Sequence, residues 1–117
     1  MTVNEIFDRV MALLGYSNAD GDKNGLEVLK SRVIDCVNQI LSDLSVENSV
    51  TDFSDTLLVS GVCLDAVIYG TAMLLALTVC DNEKNVLFAG LYNIKRATYK
   101  SSVTTKKDAL PIDDGGV

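Results

Sequence analysis

The chain has 117 residues, 48% of them hydrophobic, with one proline, no tryptophan, no histidine and a net charge of −6. This length suits one domain whose core needs no disulfide or metal staple, and scarce proline favours long helices over a turn-rich β sandwich. The acidic balance argues against a general nucleic-acid binder, which neutralises phosphates with Lys and Arg. The absence of histidine removes the commonest general base and the commonest transition-metal ligand.

From the N-terminus, Thr2-Val3-Asn4-Glu5 is a capping-box pattern. Val3, Ile6, Phe7, Val10, Met11 and Leu14 then follow at helical spacing, and Gly15 stands where a left-handed C-terminal cap belongs. The acidic residues and missing apolar run of MTVNEIFDR exclude a signal peptide at this end. Residues 15–25, GYSNADGDKNG, read as a loop. A second helix is expected from near Leu26, with Leu26, Leu29, Val33, Val37, Ile40, Leu41 and Leu44 as its apolar stripe. SVENSVTDFSD (45–55) breaks it, and TLLVSG (56–61) reads as a short extended piece.

The third helix is expected over about Val62–Val79 and the fourth over about Asn82–Lys100, joined so closely that they form an antiparallel hairpin. Asp81 is a suitable N-cap, with Glu83 in the first turn. Lys95, Arg96 and Lys100 are expected in the last turns, where cations suit the helix dipole. Residues 101–117 lack apolar periodicity and read as a tail. The fold expected is a small all-α bundle of about four helices with a C-terminal antiparallel helical hairpin, a helical body over 1–100 and an extended, flexible or partner-docking tail over 101–117.

Charge is unevenly placed. Residues 1–80 hold eleven acids and four bases, whereas 81–107 hold two acids and six bases, so a basic end sits within an acidic whole. Cys36, Cys63 and Cys80 each lie in an apolar run, an odd and unpaired set that reads as reduced, buried thiols of an intracellular protein.

The fifteen residues Ala66–Cys80 carry no charge. As a helix they reach about 22 Å, short of the roughly 30 Å of a bilayer core, and Asp65 and the missing aromatic belts also count against a membrane span. A helix apolar nearly all round is buried on several sides. Its cover is either the rest of the same chain or neighbouring copies. The expectation carried forward is the second: that Leu64–Cys80 is too apolar for a lone small bundle to enclose.

Asp20-Gly21-Asp22-Lys23-Asn24-Gly25 matches the first six positions of an EF-hand loop, with Asp20, Asp22 and Asn24 as candidate metal ligands. The second half of that motif fails, since Ser31 stands where the bidentate Glu belongs. A polar helix–helix loop explains the same residues, and a small calcium-binding or regulatory helical module is kept as the alternative function. Asp55-Thr56-Leu57 is similar to the Asp-Ser-Leu of acyl carrier proteins, but threonine replaces the serine that carries their prosthetic group. No nucleophile elbow, P-loop or dinucleotide fingerprint is present, so neither an enzymatic activity nor a cofactor is expected.

The segment LDAVIYGTAMLLALTVCDNEKNVLFAGLYNIKR resembles the C-terminal half of head–tail connector (adaptor) proteins of long-tailed phages and prophages. The matching positions are Tyr69, Gly70, Ala72, Leu75, Ala76, Asp81, Phe88 and Tyr92, and the second helix with Arg32, Asn38 and Leu44 fits more loosely. The resemblance covers about residues 1–100 and rests on packing patterns. It implies a small helical structural protein of the virion neck, present in host cytoplasm during assembly. Such a protein forms a ring, typically dodecameric, beneath the portal protein, joins a stopper or tail-completion protein, and surrounds DNA without holding it tightly. Tyr69, Gly70, Ala72, Leu75, Phe88 and Tyr92 are then expected in core or subunit packing. Lys95, Arg96, Tyr99, Lys100, Val103, Lys106 and Lys107 are expected to dock partners. The β-branched run Val103, Thr104 and Thr105 is expected to act as an extended arm or added strand.

Overall fold

A computed structural model of the chain describes residues 1–15 and 23–109, with side chains for 1–15 and 28–103. Four helices make up the architecture: α1 (Val3–Leu14), α2 (Lys23–Asp43), α3 (Gly61–Thr78) and α4 (Asn82–Ala109). Among the described residues the one β pairing is an isolated antiparallel bridge between Thr2 and Thr56. The all-α bundle with its C-terminal hairpin is therefore as the sequence implies.

The capping box of α1 forms in full. Thr2 Oγ1 accepts from the Glu5 amide at 3.2 Å, and Glu5 Oε1 accepts from the Thr2 amide at 2.9 Å. Val3, Ile6, Phe7, Val10, Met11 and Leu14 are all buried, and Gly15 closes the helix at φ 73°. The same entry strand is stitched to the 50s segment: the Val3 and Asn4 amides donate to the Asp55 and Phe53 carbonyls, and the Leu57 amide donates to the Met1 carbonyl.

α2 begins three residues before the expected Leu26. It ends in a turn where Ser45 takes φ 61°, and the Val46 amide reaches back to the Leu41 carbonyl. The connection 45–60 is irregular but anchored. Asn38 clamps Val50 from the side of α2, its Nδ2 donating to the Val50 carbonyl and its Oδ1 accepting from the Val50 amide, both at 2.8 Å.

α3 is the hub, packed against α1, α2 and α4. Ser60 caps its start by accepting from the Cys63 amide. Its buried residues are Cys63, Ala66, Val67, Ile68, Gly70, Thr71, Ala72, Leu75 and Ala76. At 3.6 residues per turn these positions spread over the whole circumference. Among the described residues α3 is the one helix long and apolar enough to cross a membrane by length and composition, and half of it is buried within the bundle. The rest of α3 is not enclosed by its own chain: Leu64, Tyr69, Met73 and Leu74 are partly buried, and Leu77 and, just beyond the helix, Val79 are exposed at the hairpin end.

The α3–α4 turn is tight. The Asp81 amide donates to the Ala76 carbonyl and the Cys80 amide to the Leu77 carbonyl, with Cys80 in the left-handed region at φ 61°. Asp81 caps α4, accepting from the Lys84 amide at 3.3 Å. Cys36 and Cys63 are buried as expected, but Cys80 is exposed, because the turn lifts it out of the apolar run that its sequence neighbours suggest.

α4 departs most from expectation. It continues to Ala109, nine residues beyond Lys100, so residues 101–109 are helix and not an extended tail. Extending an established helix adds one hydrogen bond per residue ordered without repeating the nucleation cost. Ser101–Ala109 contains neither glycine nor proline to stop it. The last turns therefore need no apolar stripe. Residues 110–117 lie outside the described residues.

Candidate interaction surfaces

Gly70 is the point where three helices meet. A Cβ built there would lie 2.7 Å from Ile40 Cδ1 on α2 and 2.9 Å from Tyr92 Cδ1 on α4, distances that real Cβ atoms do not tolerate. Glycine thus sets the spacing of the bundle. Phe88 and Tyr92 are buried on α4, Ala72 and Leu75 are buried elsewhere on α3 in the same core, and Tyr69 stacks on Phe88 with ring centroids 6.1 Å apart. Of the six residues expected in packing, Ala72, Leu75, Phe88 and Tyr92 lie in the core, Tyr69 packs against it, and Gly70 adjoins Tyr92.

Of the expected docking residues, Lys95, Arg96, Tyr99 and Lys100 meet intramolecular partners. Tyr92 Oη donates to Asp43 Oδ2 at 2.5 Å, and Arg96 Nε donates to the same oxygen at 2.9 Å. The Tyr92 hydrogen bond, followed by the Arg96 contact, holds the Asp43 carboxyl below its ordinary range. Burial first, then Asp43, pushes the Tyr92 phenol up. Lys95 lies 3.9 Å from Asp65 and over the Tyr69 ring, and Lys100 Nζ reaches Ser45 Oγ at 3.5 Å. Tyr99 is half-buried beside Cys63, whose thiol burial pushes up.

Because α4 runs on to Ala109, Lys95, Arg96 and Lys100 sit in its middle and not beside its C-terminal dipole. Val103 is exposed on this helix. Val103, Thr104 and Thr105 are helical, so the extended-arm expectation is corrected. Lys106 and Lys107 belong to α4, their side chains lying outside the described portion. Since Lys95 and Tyr99 lie beside Asp65 and Cys63 near the start of α3, the last nine residues of α4 run past the end of its antiparallel neighbour.

Of the candidate calcium ligands, Asp20 and Asp22 lie outside the described residues. Asn24 sits in the first turn of α2. Lys23, Asn24 and Gly25 are thus helical, where an EF-hand would need them in the ion-wrapping loop with the glycine making its sharp turn. Among the described residues no group of three or more Cys, Asp or Glu side chains is arranged to hold a metal ion.

One surface was not anticipated. The side of α4 opposite Phe88 and Tyr92 carries Val86, Leu87, Gly90, Ile94 and Ala97, all exposed. Val86 is 71%, Leu87 56% and Ile94 62% accessible. α4 is therefore apolar on two opposite sides, and the bundle covers only one. The signal was present in the sequence as a second i, i+3, i+7, i+10 series, overlaid on the inward one and hidden by it.

No family model matches the chain. No curated protein matches it, and no solved structure does.

Proposed function

We propose that the chain is a structural subunit of the head–tail connector of a long-tailed phage or prophage, forming a ring under the portal protein and passing the channel on to a stopper or tail-completion protein. The observation that carries this reading is the α3–α4 hairpin. Its residues hold the resemblance, and α3 within it keeps Leu77 exposed and Leu64, Tyr69, Met73 and Leu74 only partly buried after the bundle has packed. Soluble monomers rarely leave a contiguous apolar surface without a use for it.

The charge pattern supports the same reading. Acids dominate the front of the chain, and a channel whose wall repels phosphates lets DNA pass without holding it. The overhang of α4, with Lys106 and Lys107, suits an oriented contact with an acidic neighbour. In this role the protein is non-enzymatic, needs no cofactor, and works at the virion neck after assembly in the host cytoplasm.

The test is attachment. Purified full-length chain is mixed with portal-bearing, DNA-filled capsids that lack it, sedimented, and imaged. A ring of density below the portal is the expected result, and removal of residues 101–117 should abolish it while leaving the helical circular dichroism signal largely intact. A full-length chain that stays free in the supernatant at every concentration rules the reading out.

A further inference from the structure

We propose that the outer side of α4 is a self-complementary surface that pairs with the same side of a second copy in antiparallel orientation, about a two-fold axis level with Tyr92. This does not rest on the ring reading, because a two-fold contact closes on itself whereas a ring needs two different faces.

Three observations lead to it. The stripe Leu87, Gly90, Ile94, Ala97 alternates large and small at spacings of three, four and three residues, a continuous ridge on one helix side about 15 Å long. Reversed on itself about position 92, it places Leu87 against the second copy's Ala97 and Ile94 against its Gly90. Every large side chain then meets a small one, as ridges meet grooves between packed helices. A parallel pair would set leucine on leucine and glycine on glycine.

Gly90 provides the second observation. A Cβ built there meets no heavy atom within 4 Å, and its backbone is ordinary helix, so nothing inside the fold calls for glycine at that place. Glycine in a helix interior weakens the helix. A hollow that receives Ile94 from a second copy explains it.

The third observation is charge. Lys95 and Arg96 turn toward Asp65 and Asp43 of their own chain, so neither base lies on the stripe. Glu83, the acid at its edge, falls opposite Ser101 in the antiparallel register and meets no like charge. Apart from Glu83 at that edge the stripe carries no charge, so a strongly charged partner finds little to pair with, whereas a second copy finds its own complement.

Sedimentation equilibrium of the full chain, from micromolar to near-millimolar concentration, tests this. A monomer–dimer equilibrium is expected. Leu87→Ala puts small on small and Ala97→Leu puts large on large, and each should weaken association about tenfold. The double substitution restores large-on-small packing and should return the dissociation constant to within about threefold of the parent. Both positions are exposed, so the fold survives. Gly90→Gln should weaken pairing by a similar factor while raising the melting temperature of the monomer. A chain that remains monomeric throughout, an association unmoved by the single substitutions, or a double variant no better than the singles overturns the proposal. Capsid attachment is a separate readout, so failure here leaves the connector reading to its own test.

Discussion

The two helices of the hairpin handle apolar surface in opposite ways. α3 is the more hydrophobic by composition, yet its buried residues surround its axis and the bundle covers half of it. α4 is the more polar, yet it carries an apolar stripe on each of two opposite sides, one sealed by the bundle and one bare. Hydrophobic content and surplus surface are therefore different quantities. A helix at the hub of a four-helix bundle can be apolar all round and turn much of that surface inward, whereas a peripheral helix advertises contact with even a few misplaced aliphatics.

Glycine sharpens the contrast, because each helix carries one in mid-span. At Gly70 of α3 the neighbours stand under 3 Å from where a Cβ would be, and at Gly90 of α4 there is open space. Gly70→Leu should be the most damaging single change, costing about 3 kcal/mol by overpacking against Ile40 and Tyr92. Gly90→Ala should stabilise the monomer by about 1 kcal/mol, the helix-propensity gain with nothing to offset it. Chemical denaturation of both variants decides the matter. If Gly70→Leu is tolerated, or Gly90→Ala is harmful, the hub and rim assignments are wrong.

Much of the fold was legible because local signals agreed with one another. The capping box, the stripe and the glycine of α1 gave that helix from end to end, and Asp81 marked the start of α4. The chain gave poorer notice where a stop lacks its usual residue. Ser45 and Cys80 take the left-handed conformation that glycine normally supplies, so the ends of α2 and α3 are written without their customary sign. The overrun of α4 was hidden for the converse reason: residues 101–109 carry no apolar period, and they need none to prolong a helix already formed. Asn38 was equally invisible as a clamp, because its partners are backbone atoms of Val50, twelve residues away. The outer stripe of α4 is masked in the sequence because two series share one helix and neither stands out from the other.

Within α3 the enclosure has one flaw. Thr71 is fully buried, and its hydroxyl has no hydrogen-bond partner. A buried polar group left unpaired costs about 1–3 kcal/mol, so Thr71→Val, which swaps that hydroxyl for a methyl of similar size, should raise stability by about 1 kcal/mol. Thermal and urea unfolding would register it. A destabilised Thr71→Val would mean that the hydroxyl is satisfied in solution and that the hub is less dry than its packing implies.

The smallest effect concerns the polar tie between the hub side of α4 and the end of α2. Asp43 accepts from Tyr92 and Arg96, and its carboxyl is held below the ordinary value of 3.8. The folded chain thus binds fewer protons at this site than the unfolded chain does. Its contribution is fully present above about pH 4 and fades as pH falls through the depressed folded value. Side-chain exposure of 46% at Asp43 keeps the contribution within the roughly 0–1 kcal/mol of surface ion pairs. Asp43→Asn should therefore flatten, without abolishing, the acid limb of a stability–pH curve, since Glu5, Asp52 and Asp55 are also depressed and remain in the variant. Tyr92 runs the other way. Its phenol is pushed up, so that stabilisation holds below about pH 10, the ordinary tyrosine value, and is lost as pH rises further. Tyr92→Phe should reduce the alkaline loss without abolishing it, since Cys36, Cys63 and Tyr99 are also raised and remain, while also weakening the acid limb through Asp43. Urea unfolding of the parent and both variants between pH 3 and 11 separates the two limbs. An unchanged acid limb in both variants would show that the α2–α4 tie contributes nothing to holding the peripheral helix against the bundle, leaving Phe88 and the Tyr92 ring to do so alone.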